Sequence, residues 1–196
     1  PFHPEVEGIR GWGNTYTTVI ENEAEAQNYV VPEGKKLCVV SQTNAQRQVV
    51  LIHRFTTPLG SMFVCATQRG ICLLEFVDRR ALESEFSDLQ RRFNASIIAG
   101  ENAHTRQAQQ EITEYFAGSV IEVALDTPGS EFQRAVWRRL QHVSFGETTH
   151  YQSIAMEIGK PTSTRAVAAA NGANRVAIII PCHRIIGKDG SMTGYG

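Results

Sequence analysis

The residues best suited to chemistry form the run Pro181-Cys182-His183-Arg184 near the end of the chain. Five apolar residues, 176–180, precede this run and predict a short buried segment that ends at the cysteine. A histidine and an arginine next to a cysteine supply positive charge that favours the thiolate, which is the nucleophilic form. The pattern therefore predicts a nucleophile at Cys182. An inert, buried cysteine beside a hydrogen-bonded core histidine fits the same residues. The residues that surround the pair in the fold distinguish a reactive cysteine from an inert one.

The composition is that of an ordinary globular protein. Its 196 residues are 42% hydrophobic and 20% charged, which allows one large or two small domains. The four cysteines, Cys38, Cys65, Cys72 and Cys182, form no Cys-x-x-Cys pair and no dense disulfide framework, which indicates a reducing compartment. No stretch reaches the roughly 18 apolar residues of a membrane span, and no signal peptide opens the chain. We therefore expect a cytoplasmic protein, or a nuclear one in a eukaryote, that binds no membrane.

Charge is distributed unevenly, although the formal net charge is only −1. Residues 1–130 contain 11 basic and 16 acidic side chains, whereas residues 131–196 contain 8 basic and 4 acidic ones. A basic excess is typical of surfaces that contact nucleic acid, so the pattern favours a C-terminal half that faces DNA. A solvated helix face with the same small excess fits as well.

The chain divides into three segments on its sequence pattern. Residues 1–48 hold two short strand-like runs, over 15–20 and 37–40, and no recognisable motif, so they form an N-terminal extension of unknown role. Residues 49–126 predict an antiparallel meander over 49–77, helices over 80–93 and 105–116, and a short strand over 121–125. Residues 127–196 begin with a linker-like Pro128-Gly129 and are predicted to be mostly helical.

Three helices are predicted in this last segment. Ser130 followed by Gln133 is a capping-box pattern that opens the first helix. A second helix over 151–158 and a third over 162–171 are separated by Gly159-Lys160-Pro161, which matches a helix-turn-helix. Arg165 lies in the third helix among small residues, and a slim helix with one long cation suits entry into a DNA groove. An alanine-rich core helix whose arginine reaches the solvent is the alternative.

Together these motifs resemble one family, the O6-alkylguanine-DNA alkyltransferases, also called methylated-DNA-protein-cysteine methyltransferases. The resemblance covers about residues 49–196 and is strongest from Ser130 onward. The matching motifs in the second half are Phe132-Gln133, Trp137, Phe145-Gly146-Glu147-Thr148, Tyr151-Gln152, Arg165-Ala166-Val167, Asn174 and Ile180-Pro181-Cys182-His183-Arg184. In the first half, Thr57-Pro58-Leu59-Gly60 and Arg69-Gly70-Ile71 are similar to the N-terminal sheet of the family.

The resemblance implies an α+β fold. A small ribonuclease-H-like antiparallel sheet domain over 49–126 would precede a mostly helical, winged-helix-like domain with a helix-turn-helix over 127–196. The implied activity is DNA repair by direct transfer of the alkyl group from O6-alkylguanine, and from O4-alkylthymine, to a cysteine. Since the thioether product has no easy way back, one protein molecule would repair one lesion. The implied partner is double-stranded DNA, bound through its minor groove by a monomer, with no cofactor and no metal.

Carried over residue by residue, the resemblance makes Cys182 the alkyl acceptor and His183 the group that deprotonates it through a water. Arg165 is expected to fill the gap that the flipped guanine leaves in the duplex, and Tyr151 to help rotate the nucleotide out. Ala166 and Ala169 are expected to face the DNA from the same helix as Arg165.

The family also implies a pocket for the flipped base. Asn174 matches the asparagine that joins the recognition helix to the active-site segment. The main chain around Val176 and Ile178 would line the guanine pocket, and Tyr195 would lie near the alkylated oxygen.

The chain departs from the family pattern at two places. His150 stands where the family usually has serine or threonine, which predicts a weaker helix cap. The glutamate that completes the family's cysteine-water-histidine relay would lie beyond Gly196, so we expect either that the C-terminal end is truncated or that the relay is incomplete.

Three other functions stay open on the sequence. The chain could be the alkyltransferase half of a longer adaptive-response regulator, with residues 1–48 belonging to a preceding domain. A module that recognises lesions without turnover is less well matched, since such relatives usually lack the cysteine that Cys182 supplies. A cysteine hydrolase using Cys182 and His183 would need an oxyanion hole, which no motif indicates.

Overall fold

The chain folds into two compact units in its computed structural model. The structure describes residues 47–188 and 190, and of residues 15–19 and 36–40 the backbone alone. One unit spans Pro1–Asp126 and the other Thr127–Gly196. Among the described residues, no helix combines the length and the apolar character that crossing a bilayer demands.

The first unit is built on a four-stranded sheet with two helices. Strands β1 (Thr15–Val19) and β2 (Lys36–Val40) pair in parallel as a separate two-stranded sheet. The remaining elements are β3 Gln48–Thr57, β4 Gly60–Ala66, β5 Ile71–Phe76, α1 Leu82–Phe93, β6 Ala95–Ala99 and α2 Ala103–Tyr115. The order of strands across the main sheet is β5-β4-β3-β6.

The main sheet is mixed, not antiparallel. The meander predicted over 49–77 is confirmed, since β3 pairs antiparallel with β4, and β4 with β5. The prediction of an antiparallel sheet is wrong at the fourth strand, because the chain reaches β6 through α1 and lays it parallel to β3. The strand predicted over 121–125 is also wrong. That segment contributes one isolated bridge, between Leu125 and Ile71.

Helix α1 buries one apolar face in the core of the first unit. Leu82, Phe86, Leu89 and Phe93 recur at helical spacing, and all four are buried, as the sequence predicts. Phe86 meets Phe63 of β4 edge to face, with ring centroids 6.2 Å apart. Such aromatic pairs add directional preference to the burial of apolar area, which fixes how the helix lies on its sheet.

A buried carboxylate lies near the end of β5. Glu75 is 3% exposed, and its Oε1 lies 3.3 Å from Nη1 of Arg79, whose Nε donates to Oε1 of Glu85 at 2.9 Å. Burial raises the pKa of Glu75 to about 7, against the opposing charge of Arg79. The folded chain therefore holds a proton on Glu75 over a pH range in which the unfolded chain has lost it.

The second unit is mostly helical. Its elements are α3 Glu131–Leu140, β7 Thr149–His150, α4 Tyr151–Glu157, α5 Thr164–Gly172, a 3-10 turn over Cys182–Arg184 and β8 Ile185–Ile186. Strands β7 and β8 pair in parallel, so they join the start of α4 to the end of the 3-10 turn.

The starts of two helices agree with the sequence signals. The capping box at α3 is confirmed, since Ser130 Oγ accepts from Gln133 N at 3.1 Å and Gln133 Oε1 accepts from Ser130 N at 2.9 Å. His150 precedes α4 and makes no side-chain cap bond, which confirms the prediction of a weaker cap there.

A turn held by side chains connects α4 to α5. The prediction that α5 begins at 162 is wrong, because residues 161 and 162 lie in the turn and the helix begins at Thr164. Gln152 holds this turn from α4: its Nε2 donates to the carbonyl oxygen of Pro161 at 2.8 Å, and its Oε1 accepts from Oγ1 of Thr164 at 2.6 Å. The orientation of α5 on α4 is thus fixed at its first residue.

Candidate active site

Cys182 is the accessible cysteine among the three whose surroundings the structure describes. Cys65 and Cys72 are completely buried in the sheet of the first unit, whereas Cys182 is partly exposed. Burial raises the pKa of the Cys65 thiol well above its ordinary value, which keeps that thiol protonated and unreactive. The nucleophile predicted at Cys182 therefore lies where a substrate can reach it.

Asn174 holds the loop that leads to Cys182. The side chain is 3% exposed, and its Nδ2 donates to the carbonyl oxygens of Ile180 at 2.9 Å and Val176 at 3.4 Å. Its Oδ1 accepts from Val176 N at 2.9 Å. One amide thus ties both ends of the loop 176–180 to the end of α5, where the resemblance implies a junction between helix and active-site segment.

The loop 176–180 is a tight turn and not a strand. Ile180 N donates to the carbonyl of Val176 at 3.0 Å, and Cys182 N donates to that of Ile180 at 2.7 Å. Ile178 has a φ of 70°, in a region that branched side chains rarely adopt. Such backbone strain persists only where the surroundings enforce it, and it is concentrated at functional sites.

Alternate side chains of this loop are buried in the second unit. Val176 is completely buried, Ile178 is 8% exposed and Ile180 is 1% exposed. At Val176 and Ile178 the loop can therefore offer a ligand its main chain, as the resemblance implies for these two residues. Tyr195, the other expected pocket residue, lies outside the described residues.

Arg184 anchors the 3-10 turn from the other side. Its Nη1 donates to the carbonyl oxygen of Val143 at 2.6 Å, and its guanidinium lies 5.7 Å from the ring centroid of Phe145. Both partners belong to the segment that follows α3. Arg184 therefore holds the 3-10 turn against the segment after α3, in addition to supplying positive charge beside the cysteine.

His183 is suited to accept a proton at neutral pH. Its side chain reaches the surface of the unit. Desolvation of the ring, together with the positive charge of Arg184, lowers the pKa of His183 below its ordinary value. Because the lowered pKa favours the neutral imidazole, this histidine can take up a proton where an ordinary one would be partly charged already.

Tyr151, which the resemblance implies helps to rotate the nucleotide out, interacts electrostatically with Cys182 in the fold. Tyr151 begins α4 and is 8% exposed. Burial raises the pKa of Tyr151, the negative charge of the Cys182 thiolate raises it further, and a hydrogen bond from the Asn171 side chain lowers it. Tyr151 therefore interacts electrostatically with Cys182 and shares a hydrogen bond with Asn171.

Asn171 is a site residue that the sequence reasoning does not single out. It lies in the last turn of α5, is 3% exposed and donates from Nδ2 to the carbonyl oxygen of Cys182 at 3.4 Å. Its spacing of four residues from the buried Val167 is the signal that could have revealed it, because this spacing puts an amide on the inner face of an alanine-rich helix.

Helix α5 presents an outer face with one cation. Arg165, Ala166 and Ala169 are exposed, while Val167 and Ala170 are buried against the rest of the unit. The inner face is fixed by Trp137 of α3, whose Nε1 donates to the carbonyl oxygen of Ala170 at 2.8 Å. The three residues expected to contact DNA therefore lie together on the free side of the helix.

Within the described ranges, no three His, Cys, Asp or Glu side chains converge in a way that could hold a metal ion.

Comparison with known proteins identifies the relatives of the chain. The 6-O-methylguanine DNA methyltransferase, DNA binding domain family matches residues 131–196. A methylated-DNA–protein-cysteine methyltransferase of Mycolicibacterium paratuberculosis is 53% identical over 91 residues, which span 45% of this chain and 55% of that protein. The match thus spans little more than half of that relative's length.

Two further matches are longer. A methylated-DNA–protein-cysteine methyltransferase of Methanosarcina barkeri is 35% identical over 144 residues, which span 71% of this chain and 84% of the relative. The crystal structure of Mycobacterium tuberculosis OGT in complex with DNA superposes with a TM-score of 0.61 and 33% identity over 75% of this chain and 84% of that one. By these matches, the chain belongs to the methylated-DNA–protein-cysteine methyltransferase family.

Proposed function

We propose that this protein repairs DNA by transferring the alkyl group of O6-alkylguanine to its own Cys182. The observation that carries the proposal is a partly exposed cysteine on a turn that Asn174 and Arg184 hold from two sides. A nucleophile that must meet one carbon in line gains from such a fixed position, because orientation is prepared before the substrate binds.

The reaction consumes the acceptor. Neutral His183 takes the proton of the Cys182 thiol through a water, and the thiolate attacks the alkyl carbon. A carbon–sulfur bond forms while the bond between that carbon and O6 breaks, and the electron pair stays on the base. Guanine then takes up a proton in place of the alkyl group. The stable thioether limits each protein molecule to one transfer, and O4-alkylthymine is a second substrate by the same chemistry.

The outer face of α5 is the proposed DNA-contacting surface. The alkyl carbon is inaccessible inside a duplex, so the nucleotide must turn out of the stack. Ala166 and Ala169 make the helix slim enough for the minor groove, and Arg165 fills the gap that the flipped base leaves. Because that groove carries a degenerate base code, binding there suits a protein that must find damage in any sequence.

The two units take different parts in this proposal. Residues 127–196 form the helix-turn-helix, winged-helix-like domain that holds both the DNA-contacting helix and the acceptor. Residues 49–126 form a ribonuclease-H-like domain, and residues 1–48 are an extension of unknown role. We expect the protein to act as a monomer, in the cytoplasm or in a eukaryotic nucleus.

Stoichiometry tests the proposed reaction. Limiting protein is incubated with excess duplex DNA carrying O6-methylguanine, and the restored guanine is counted. The proposal predicts a plateau at one guanine per protein molecule, and no restored guanine with the Cys182→Ser variant. Continued turnover would contradict it, and binding of the lesion without any restoration would favour a recognition module instead.

Replacing Arg165 tests the DNA surface. Arg165→Ala is expected to slow methyl transfer from duplex DNA by tenfold or more, since the unstacked state loses the side chain that fills the gap. Arg54→Ala, which also removes an exposed cation, from β3 of the first unit, is the matched control and should leave the rate unchanged. Equal effects of both substitutions would show a general charge effect and argue against the assignment.

A further inference from the structure

One buried hydrogen-bond acceptor, near the proposed alkyl-accepting Cys182, has no hydrogen-bond donor within the described part of the chain. The Oδ1 atom of Asn171 is shielded from solvent and forms no hydrogen bond within the described part of the chain. Most buried polar atoms of native proteins are paired, and leaving one unpaired costs stability comparable to a lost hydrogen bond. An acceptor retained at such a cost calls for an explanation in terms of function.

The orientation of the Asn171 amide is fixed by its other end. Nδ2 donates to the carbonyl oxygen of Cys182 at 3.4 Å, and the same side chain hydrogen-bonds to Tyr151 in a way that favours the phenolate, which requires an N–H donor. Exchanging the oxygen and nitrogen positions would set the Asn171 oxygen against the Cys182 carbonyl. Oδ1 is therefore the atom that is left to receive a donor.

We propose that Asn171 is a specificity-determining residue, whose Oδ1 accepts a hydrogen bond from the exocyclic amino group of alkylated guanine when the base lies beside Cys182. The proposal rests on the proposed function, because the base enters the pocket only for that reaction. The side chain hydrogen-bonds both to Tyr151 and to the Cys182 turn, so a base that lies beside the sulfur would lie next to this amide.

The chemistry of the two candidate bases makes the proposal selective. O6-alkylguanine carries no proton on N1, so its exocyclic amino group is its one hydrogen-bond donor on the six-membered ring. O4-alkylthymine has acceptors but no N–H or O–H donor in the base. An unpaired acceptor in the pocket therefore favours guanine lesions over thymine lesions, because a site built for a donor rejects an analogue that lacks it.

The test compares O6-methylguanine with O6-methylhypoxanthine, which carries the same methyl group but lacks the amino group. Single-turnover rate constants are measured for both bases in the same duplex, with the wild-type protein and with Asn171→Leu, which has a similar size and no polar atoms. We expect the wild type to prefer O6-methylguanine by about fivefold, the size of one net hydrogen bond, and the variant to lose that preference. O4-methylthymine should lose the least rate on substitution.

A second variant distinguishes loss of the hydrogen-bond acceptor from misfolding of the pocket. Asn171→Asp keeps an oxygen acceptor while losing the amide donor, so it should retain the preference for the amino group at a lower overall rate. If Asn171→Leu slows both bases equally, or if the wild type shows no preference, the proposal is overturned. Failure of the proposed function would look different, since the wild type would then transfer no methyl group to Cys182 from any of these bases.

Discussion

Replacing Asn174 with alanine removes the side chain that holds the loop before Cys182. The amide makes three hydrogen bonds with main-chain groups of that loop, two as donor and one as acceptor. All three are buried, so water cannot replace the lost partners. At about 1 kcal/mol for each bond, we expect the second unit to lose about 3 kcal/mol of its free energy of unfolding.

Urea unfolding followed by the fluorescence of Trp137 measures this loss. Trp137 is 3% exposed and belongs to the second unit, and a Trp12→Phe background removes the other tryptophan of the chain. A shift of the unfolding midpoint at constant slope reports stability alone. Relief of the strain at Ile178 offsets part of this loss, because a loop freed from Asn174 relaxes out of the positive-φ conformation.

Asn171→Ala is the matched control for the Asn174 experiment. It is the same substitution at an equally buried asparagine, but the removed amide has one main-chain bond, at 3.4 Å, one side-chain bond, to Tyr151, and an unpaired oxygen. Its expected cost is about 2 kcal/mol, against about 3 kcal/mol for Asn174→Ala. If Asn174→Ala costs no more than Asn171→Ala, the loop is held by its own turn hydrogen bonds, and the reasoning about the asparagine is refuted.

Two further predictions concern stability. Glu75 is protonated in the fold and ionised in the unfolded chain between its ordinary pKa and about 7, so the unfolded state binds fewer protons there and stability falls as pH rises through that window. Glu75→Gln should remove about 3 kcal/mol of this pH dependence, as measured by urea unfolding of the first unit between about pH 4.5 and about pH 7; an unchanged pH dependence would contradict the buried proton. Ser130→Ala removes half of the α3 capping box and should cost about 1 kcal/mol, whereas Ser130→Asp, which keeps an acceptor, should cost less. Equal losses for both Ser130 variants would argue against the cap.

The parts of the fold that sequence predicts well are those with local causes. The capping box at Ser130 and the apolar stripe of α1 depend on residues a few positions apart, so their spacing carries the information. The sequence pattern does not predict β6, because this short strand, Ala95–Ala99, depends on pairing with β3, which is distant in the sequence. The pattern also predicts too early a start for α5, because Gln152 of another helix holds the turn before it.

The same distinction between local and non-local causes applies to the residues of the candidate site. Cys182 and Arg165 are visible in the sequence because their chemistry differs from that of their neighbours. The contribution of Asn171 cannot be seen in the sequence. It depends on which face of α5 is buried and on how the Cys182 turn approaches that face. Left-handed backbone at Ile178 is likewise a product of the Asn174 hydrogen bonds and not of its own residue type.

The most direct test of the account is to locate the alkyl group after reaction. The protein is incubated with a duplex that carries O6-methylguanine, digested, and the masses of its peptides are measured alongside those of untreated protein. We predict that the peptide containing Cys182 gains the mass of one methyl group while the peptides containing Cys65 and Cys72 stay unchanged. An unmodified Cys182 in protein that has restored the guanine would contradict the account.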